Sequence, residues 1–214
     1  MVDLSTREHA LNLVSQNPDW NVLDLGCGTD GIKVANVYAD IEDQTQHYPG
    51  QRFVLTDGAT TPFKDKEFDF IFSLHIAEHI KDPLSFCNEL ARIGKRGVIE
   101  VPTPFFDNLV VGNSNPPPHG HVWWVTFDNI TKEIVFKPRL QVVAEMATPS
   151  DTTILLPFFR ESMVTEMYWE NTIELRQDES LFQYIAGNSD APRIVDLRGK
   201  KIPPHVTPWR PKKL

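Results

Sequence analysis

The stretch Val22-Leu-Asp-Leu-Gly-Cys-Gly-Thr-Asp-Gly31 reads as a short apolar strand, Val22 to Leu25, running straight into an acidic, glycine-rich turn. Glycine has no Cβ and tolerates positive φ, so backbone can approach a ligand closely at such a turn. A strand followed at once by Gly26-Cys-Gly28 is the layout of a nucleotide-type cofactor loop in an α/β sheet. Tight turns use the same residues. The weight of the reading therefore comes from residues further along the chain: Asp40, Asp57 and the segment Phe68 to His79.

Outward from this loop, strands alternate with helices. Ser5-Thr-Arg-Glu8 forms a capping box before a helix of about residues 6–16, which Asn17-Pro18 ends. After the Val22–Leu25 strand, further strands are predicted at Asn36–Ala39, Arg52–Leu55, Phe68–Leu74 and Val98–Val101. The fourth is nearly all apolar, as expected for a strand buried on both faces. Asp82-Pro83 offers a cap and a first-turn proline for a helix to about Arg92. This alternation predicts a doubly wound, mostly parallel α/β sheet. After Pro102 the character changes. Residues 112–120 read as an irregular loop, and 121–139 as a hairpin or, alternatively, a helix. Residues 157–169 look helical, 171–176 like another strand. From Asn188 proline, arginine and lysine dominate, which predicts an extended or disordered tail. The expected organisation is one domain over residues 1–187 and a Pro-rich tail over 188–214. The cofactor half is about 20–105 and the substrate half about 106–187.

The 214 residues suffice for one α/β domain with a core. Hydrophobic content of 41% and charged content of 23% are ordinary for a soluble protein. No apolar run approaches the roughly 20 residues that span a bilayer, and no signal peptide is recognised at the N-terminus. The two cysteines, Cys27 and Cys87, are too few for a disulfide framework, so reduced thiols in the cytoplasm are expected. A net charge of −8 weighs against nonspecific nucleic-acid binding, which needs clustered Lys and Arg.

Asp40 ends the second predicted strand, so it faces the crevice beside the glycine loop, where a carboxylate can accept both hydroxyls of a ribose. Asp57, with Gly58, ends the third and can reach an adenine amino group. Aspartates at strand ends are also common turn residues, but two of them behind a Gly-x-Gly loop favour a cofactor.

Together these residues resemble the class I S-adenosylmethionine-dependent methyltransferases. Val22-Leu-Asp-Leu-Gly-Cys-Gly-Thr29 resembles their first motif, and Phe53-Val-Leu-Thr-Asp57 with Thr61-Pro-Phe63 their third strand and adenine turn. Phe68 to His79 with Asp82-Pro83 resembles the fourth-strand motif of the small-molecule, type 11-like branch, and Gly97 to Pro102 the fifth strand. The resemblance covers about residues 20–105. It implies that Gly26, Cys27 and Gly28 hold the methionine part of S-adenosylmethionine, and that Asp24 holds the loop or the cofactor amine. It implies Asp40 and Ile41 at the ribose, Asp57 and Gly58 at the adenine, and Ser73, Leu74 and His75 facing the sulfonium. The product would be S-adenosylhomocysteine. Two departures stand out. Asp30 replaces the third glycine, and only about ten residues separate the first two strands, short of the dozen or more that a helical crossover takes.

His75-Ile-Ala-Glu-His79 also fits H-x-x-E-H, a zinc-protease signature. That signature needs a helix, and here it follows a buried strand, so no metal is expected. His75 is the candidate for facing the methyl group, and His79 for a base or a helix cap. His119-Gly-His121 before Val-Trp-Trp124 forms a second cluster. Histidine can take a proton near neutral pH and tryptophan can wall a pocket. His121 is a catalytic candidate, and His119, Trp123, Trp124 and Glu100 are expected to line the acceptor pocket. Strand neighbours face opposite sides, so one tryptophan belongs in the core and the other at the pocket.

The reading is methyl transfer to oxygen or nitrogen of a small metabolite or sugar. Nucleic acid and membranes are not expected partners, and a homodimer through the C-terminal part is. The alternative is a non-catalytic cofactor-binding or scaffold protein on the same fold.

Overall fold

The computed structural model describes residues 6–109, 120–128, 130–139 and 163–178. The Pro-rich tail and the proposed domain boundary at residue 187 lie outside these residues.

Six strands form the main sheet. Four are β1 (Val22–Leu25), β2 (Val37–Asp40), β3 (Arg52–Leu55) and β4 (Phe70–Leu74), joined by β5 (Arg96–Pro102) and β8 (Val164–Glu170). Their order is β3-β2-β1-β4-β5-β8. The first five run parallel, and β8 closes the β5 edge antiparallel, from Arg96↔Glu170 to Pro102↔Val164. β1 is buried at every position and β4 at all but Leu74, as near-continuous apolar runs require in a sheet covered on both faces.

Each face has its own cover. α2 (Pro83–Ile93) presents Phe86, Cys87, Leu90 and Ile93 to Leu23, Leu25, Ile71 and Ile99. Asp82 caps it, its carboxylate accepting the Ser85 N–H, with Pro83 at the first turn as expected. On the other face α1 (Thr6–Ser15) lays Ala10 and Val14 over Val22, Phe70, Phe72 and Val98. Ser5 of the expected capping box is outside the described residues. The first amide of α1, on Thr6, donates instead to Glu166 Oε2 on β8 at 3.0 Å.

Residues 121–139 form the hairpin rather than the helix. β6 (Trp123–Asp128) pairs antiparallel with β7 (Glu133–Pro138), and β9 (Leu175–Gln177) adds to β7 in parallel. Val125, Ile134 and Phe136 of this small sheet join the same core as α2. A short helix, α3 (Pro104–Leu109), leads out of β5.

The helix expected over residues 157–169 is corrected. Residues 164–170 are strand β8, and 157–162 lie outside the described residues. The apolar spacing here fits a helix as well as a strand. The unpaired edge of β5 settles the matter by offering a full ladder to a segment rich in β-branched and aromatic residues, Val164, Thr165, Tyr168 and Trp169. The strand expected over 171–176 shrinks to β9. The fifth strand is longer than expected, because Arg96 and Gly97 belong to it and not to the preceding turn.

Candidate active site

The chain leaves β1 towards β2 on one side, and leaves β4 towards β5 on the other. Ligands in such sheets bind in the crevice at the carboxyl ends of the strands where the order reverses. Gly26–Gly28, Asp40, Ile41, Asp57, Gly58, Ser73 and Leu74 all follow or end these strands. The fold therefore brings the expected cofactor residues to one edge.

The β1–β2 crossover, residues 26–36, has no helix and is held by side chains. Asp24, buried in β1, accepts the Ile32 N–H at 2.7 Å. Burial pushes its carboxyl up to about 6, against the pull of that amide and of Arg7. Asp24 thus holds the loop. Gly31 N–H donates to the Tyr48 hydroxyl at 2.9 Å, and the same hydroxyl donates towards Cys27 O and Gly28 O, each at 2.9 Å. The Tyr38 hydroxyl reaches Ile32 O and Ala35 O, and the two tyrosine rings stack at 4.2 Å. Nothing in local sequence flags this pair, since both tyrosines read as ordinary apolar residues.

The loop amides are committed internally. Gly26 and Cys27 both donate to Ala39 O, at 2.7 and 3.1 Å, and Gly28 donates to Asp40 Oδ2 at 2.9 Å. Gly26 has φ of +76°, and a Cβ there would stand 1.8 Å from Ile76 Cδ1. Only glycine fits this position. The Cys27 side chain is buried, and burial pushes its thiol up to about 11, which makes it an inert packing group.

Asp40 Oδ1 accepts the Glu42 N–H at 2.9 Å. Each oxygen of Asp40 therefore carries one amide and keeps further acceptor capacity. Ile41 beside it is 69% exposed. Asp57 Oδ1 accepts the Ala59 N–H at 2.8 Å. Nothing lies within 4 Å of where a Cβ would stand on Gly28, and the buried Ser73 hydroxyl has no hydrogen-bond partner among the described residues. An acceptor pair beside an exposed apolar side chain and open space fits the ribose and base of S-adenosylmethionine. Ile76 covers Gly26.

The histidines gather at the ends of β4 and β5. His75 has φ of +59°, uncommon for a residue with a side chain. Its amide donates to Glu100 O at 2.7 Å and its Nε2 meets Glu100 Oε1 at 3.0 Å. Glu100 is 1% exposed and also pairs with Arg7 at 3.3 Å. Burial disfavours charge on His75, but Glu100 and then Glu78 outweigh it and push the imidazole up to about 9. His75 is therefore protonated at neutral pH.

Residues 77–79 form a turn, so H-x-x-E-H is not carried by a helix and its two histidines part ways. His79 Nδ1 meets Gly120 O at 3.2 Å, and its ring stands perpendicular to His121 at 4.6 Å. Burial, ahead of the opposing pull of Glu78, lowers the His79 pKa. His121 Nδ1 is hydrogen-bonded to Asp107, which also accepts from Trp124 Nε1 at 3.0 Å and pairs with Arg139. Burial would raise the Asp107 carboxyl, but His121, Arg139 and Trp124 hold it below the ordinary range. Trp123 goes to the core, its Nε1 donating to Ile80 O at 2.7 Å, while Trp124 turns to Asp107. His119 lies outside the described residues. Asp107, Glu78 and Arg139 are site residues that the sequence does not announce. Glu78 alone carries a signal there, its place inside H-x-x-E-H.

A sheet of this order, with a glycine loop and an acidic residue at its switch point, defines the Rossmann-like class of cofactor-binding α/β folds. Within that class, residues 23–100 match the family model described as a methyltransferase domain. Over 52 residues it is 36% identical to an uncharacterized methyltransferase of Mycobacterium sp. (strain JLS). Those residues are 24% of this chain and 21% of that relative, so the chain spans about a fifth of the relative's length. Among solved structures, the YcgJ protein from Bacillus subtilis is 21% identical, with 53% of this chain and 62% of that one covered and a TM-score of 0.41. A putative methyltransferase from Bacillus halodurans C-125 is 21% identical, covering 54% of this chain and 63% of its own, with a TM-score of 0.40.

Proposed function

We propose that the protein is an S-adenosylmethionine-dependent methyltransferase acting on an oxygen or nitrogen of a small metabolite or sugar. The observation that carries this is Asp40, set across from Gly28 with acceptor capacity to spare and with the exposed Ile41 beside it. In this reading Asp40 holds the ribose hydroxyls and Ile41 lies against the adenine. Asp57 and Gly58 meet the adenine edge, the Gly26–Gly28 loop faces the methionine end, and Ser73 and Leu74 lie by the sulfonium. The bound cofactor supplies a methyl group on a cationic sulfur, open to in-line attack.

The chain's own residues position the acceptor and handle its proton. His79, kept neutral by burial, is the better base. His75, already protonated and held by Glu100, donates to the acceptor and cannot take its proton. Trp124 and His121 wall the approach. The net charge of −8 favours a small-molecule acceptor over nucleic acid. No helix among the described residues is long and apolar enough to cross a membrane, and a cytoplasmic setting is part of the proposal.

Calorimetry with S-adenosylmethionine and S-adenosylhomocysteine tests the binding, and methyl transfer from labelled cofactor into a metabolite extract tests turnover. Asp40→Ala should weaken binding by about 1–3 kcal/mol. Unchanged affinity would remove Asp40 from the ribose, and no binding by folded protein would end the reading. A second reading, a cofactor-binding scaffold without turnover, is favoured by the internally committed loop amides and by Ile76 over Gly26. Binding without transfer would select it.

A further inference from the structure

We propose that Glu78, His79 and His121 form a binding site for a divalent transition-metal ion of the zinc type. One potential ligand atom from each of the three lies within 4.8 Å of the others. His121 Nε2 and Glu78 Oε1 are 3.9 Å apart. A tetrahedral ion with bonds of about 2.1 Å spaces its ligands by about 3.4 Å, so roughly half an ångström closes the His121–Glu78 pair and side-chain shifts of up to about 1.4 Å close the set.

The second observation is the state of Glu78. Its side chain is 1% exposed, and both carboxylate oxygens are shielded from solvent without a hydrogen-bond partner. A buried carboxylate is costly unless it is paired, hydrogen-bonded or bound to a metal. Glu78 has long ion-pair contacts, to His75 Nδ1 at 3.7 Å and His121 Nε2 at 3.9 Å, and both stand beyond hydrogen-bond length, so neither oxygen has a hydrogen bond among the described residues.

The third is the setting of the two rings. Metal-bound histidines give their other ring N–H to a carboxylate or a backbone carbonyl, which fixes the tautomer and aims the free nitrogen. Both partners are in place. Asp107 engages Nδ1 of His121, and Gly120 O faces Nδ1 of His79. Asp107 is itself fixed by Trp124 and Arg139, so the support extends a further layer. Two imidazoles and one carboxylate suit zinc and its neighbours in the first transition row, and three protein ligands leave a coordination position open to water or substrate.

The site does not depend on the methyl-transfer reading, although with the ion bound His79 is a ligand and not the free base, and its test requires no cofactor. The full chain, stripped with a chelator, is titrated with cobalt(II) and followed by its visible absorption. One equivalent should bind with intense bands of four- or five-coordinate cobalt, and zinc should abolish them. Glu78→Gln and His121→Ala should each weaken binding by at least about tenfold. Asp107→Asn, which leaves all three ligands in place, should weaken it by about 10–100-fold. Circular dichroism checks that each variant is folded, and the wild-type spectrum decides the matter if one is not. Absence of bands at millimolar cobalt, or equal binding by wild type and folded ligand variants, would overturn the proposal. Nucleoside binding is read separately by calorimetry on the same metal-free protein, so failure of either proposal is visible on its own.

Discussion

The β1–β2 edge and the histidine edge sit side by side on one sheet and are built on opposite lines. In the crossover at residues 26–36, many backbone groups find partners inside the protein, among them Ala39, Asp24, Asp40 and the two tyrosines. Around Glu78 the reverse holds among the described residues, since a buried carboxylate pairs with two rings at 3.7 and 3.9 Å without a hydrogen bond to either. A side chain plugged into a loop gives rigidity without a helix. A side chain left short of its partners gives capacity for an occupant. The crossover is braced by the protein's own side chains, and the Glu78 edge keeps the capacity for the ion proposed above.

The largest expected effect tests the finished edge through pH. Burial of Asp24 raises its carboxyl from 3.8 to about 6. Between these values the folded state binds more protons than the unfolded state, so this group's contribution to stability is full below about pH 4 and is lost as pH rises through 6. The loss is at most about 3 kcal/mol. Urea midpoints from pH 4 to pH 7 should show it in wild type, and Asp24→Asn should flatten the slope while keeping an acceptor for Ile32. Equal slopes would mean that Asp24 is not strained by burial.

Next comes Tyr48→Phe, which keeps the ring stack and removes only the hydroxyl that ties Gly31 to Cys27 and Gly28. It should cost about 2 kcal/mol and free the crossover in hydrogen exchange. Unchanged protection at residues 28–32 would argue against the plug. The smallest effect belongs to the other edge. Glu78→Gln in the metal-free protein should not lower stability, because relief of a costly buried charge offsets the loss of its long contacts to His75 and His121. A large loss in thermal unfolding would show that Glu78 is already well paired and would erase the contrast.

Much of the cofactor edge is legible in the sequence. Val22–Leu25 and Arg52–Leu55 are strands where expected, because apolar runs bounded by turn residues have few other options. Asp82-Pro83 starts α2 for a reason that is wholly local. The hairpin stays open at that level because its apolar run suits either period. Residues 164–170 mislead because their state is decided by the β5 edge, more than sixty residues earlier in the chain. Tyr38 and Tyr48 are invisible for the same kind of reason. Their hydroxyls matter only once a shortened crossover brings backbone to them. Asp107 is hidden behind His121, which stands out alone in the sequence. Its role comes from three donors that converge on it from 14 to 32 residues away.

One contact made at the start of α1 sets an order of events. Thr6 reaches across 160 residues to Glu166, and Arg7 across 93 to Glu100. The β1–β2–β3 edge with its crossover, by contrast, closes mostly within residues 22–58. Nearby contacts form early and distant ones late, since each long closure costs chain entropy before it returns anything. A chain emerging from the ribosome can thus complete its β1–β3 edge first. The neighbourhood of His75 and Glu100 stays open until β8 has arrived and α1 has locked down on it. Loading of the proposed metal site, which also waits on Gly120 and His121, would fall in that later interval.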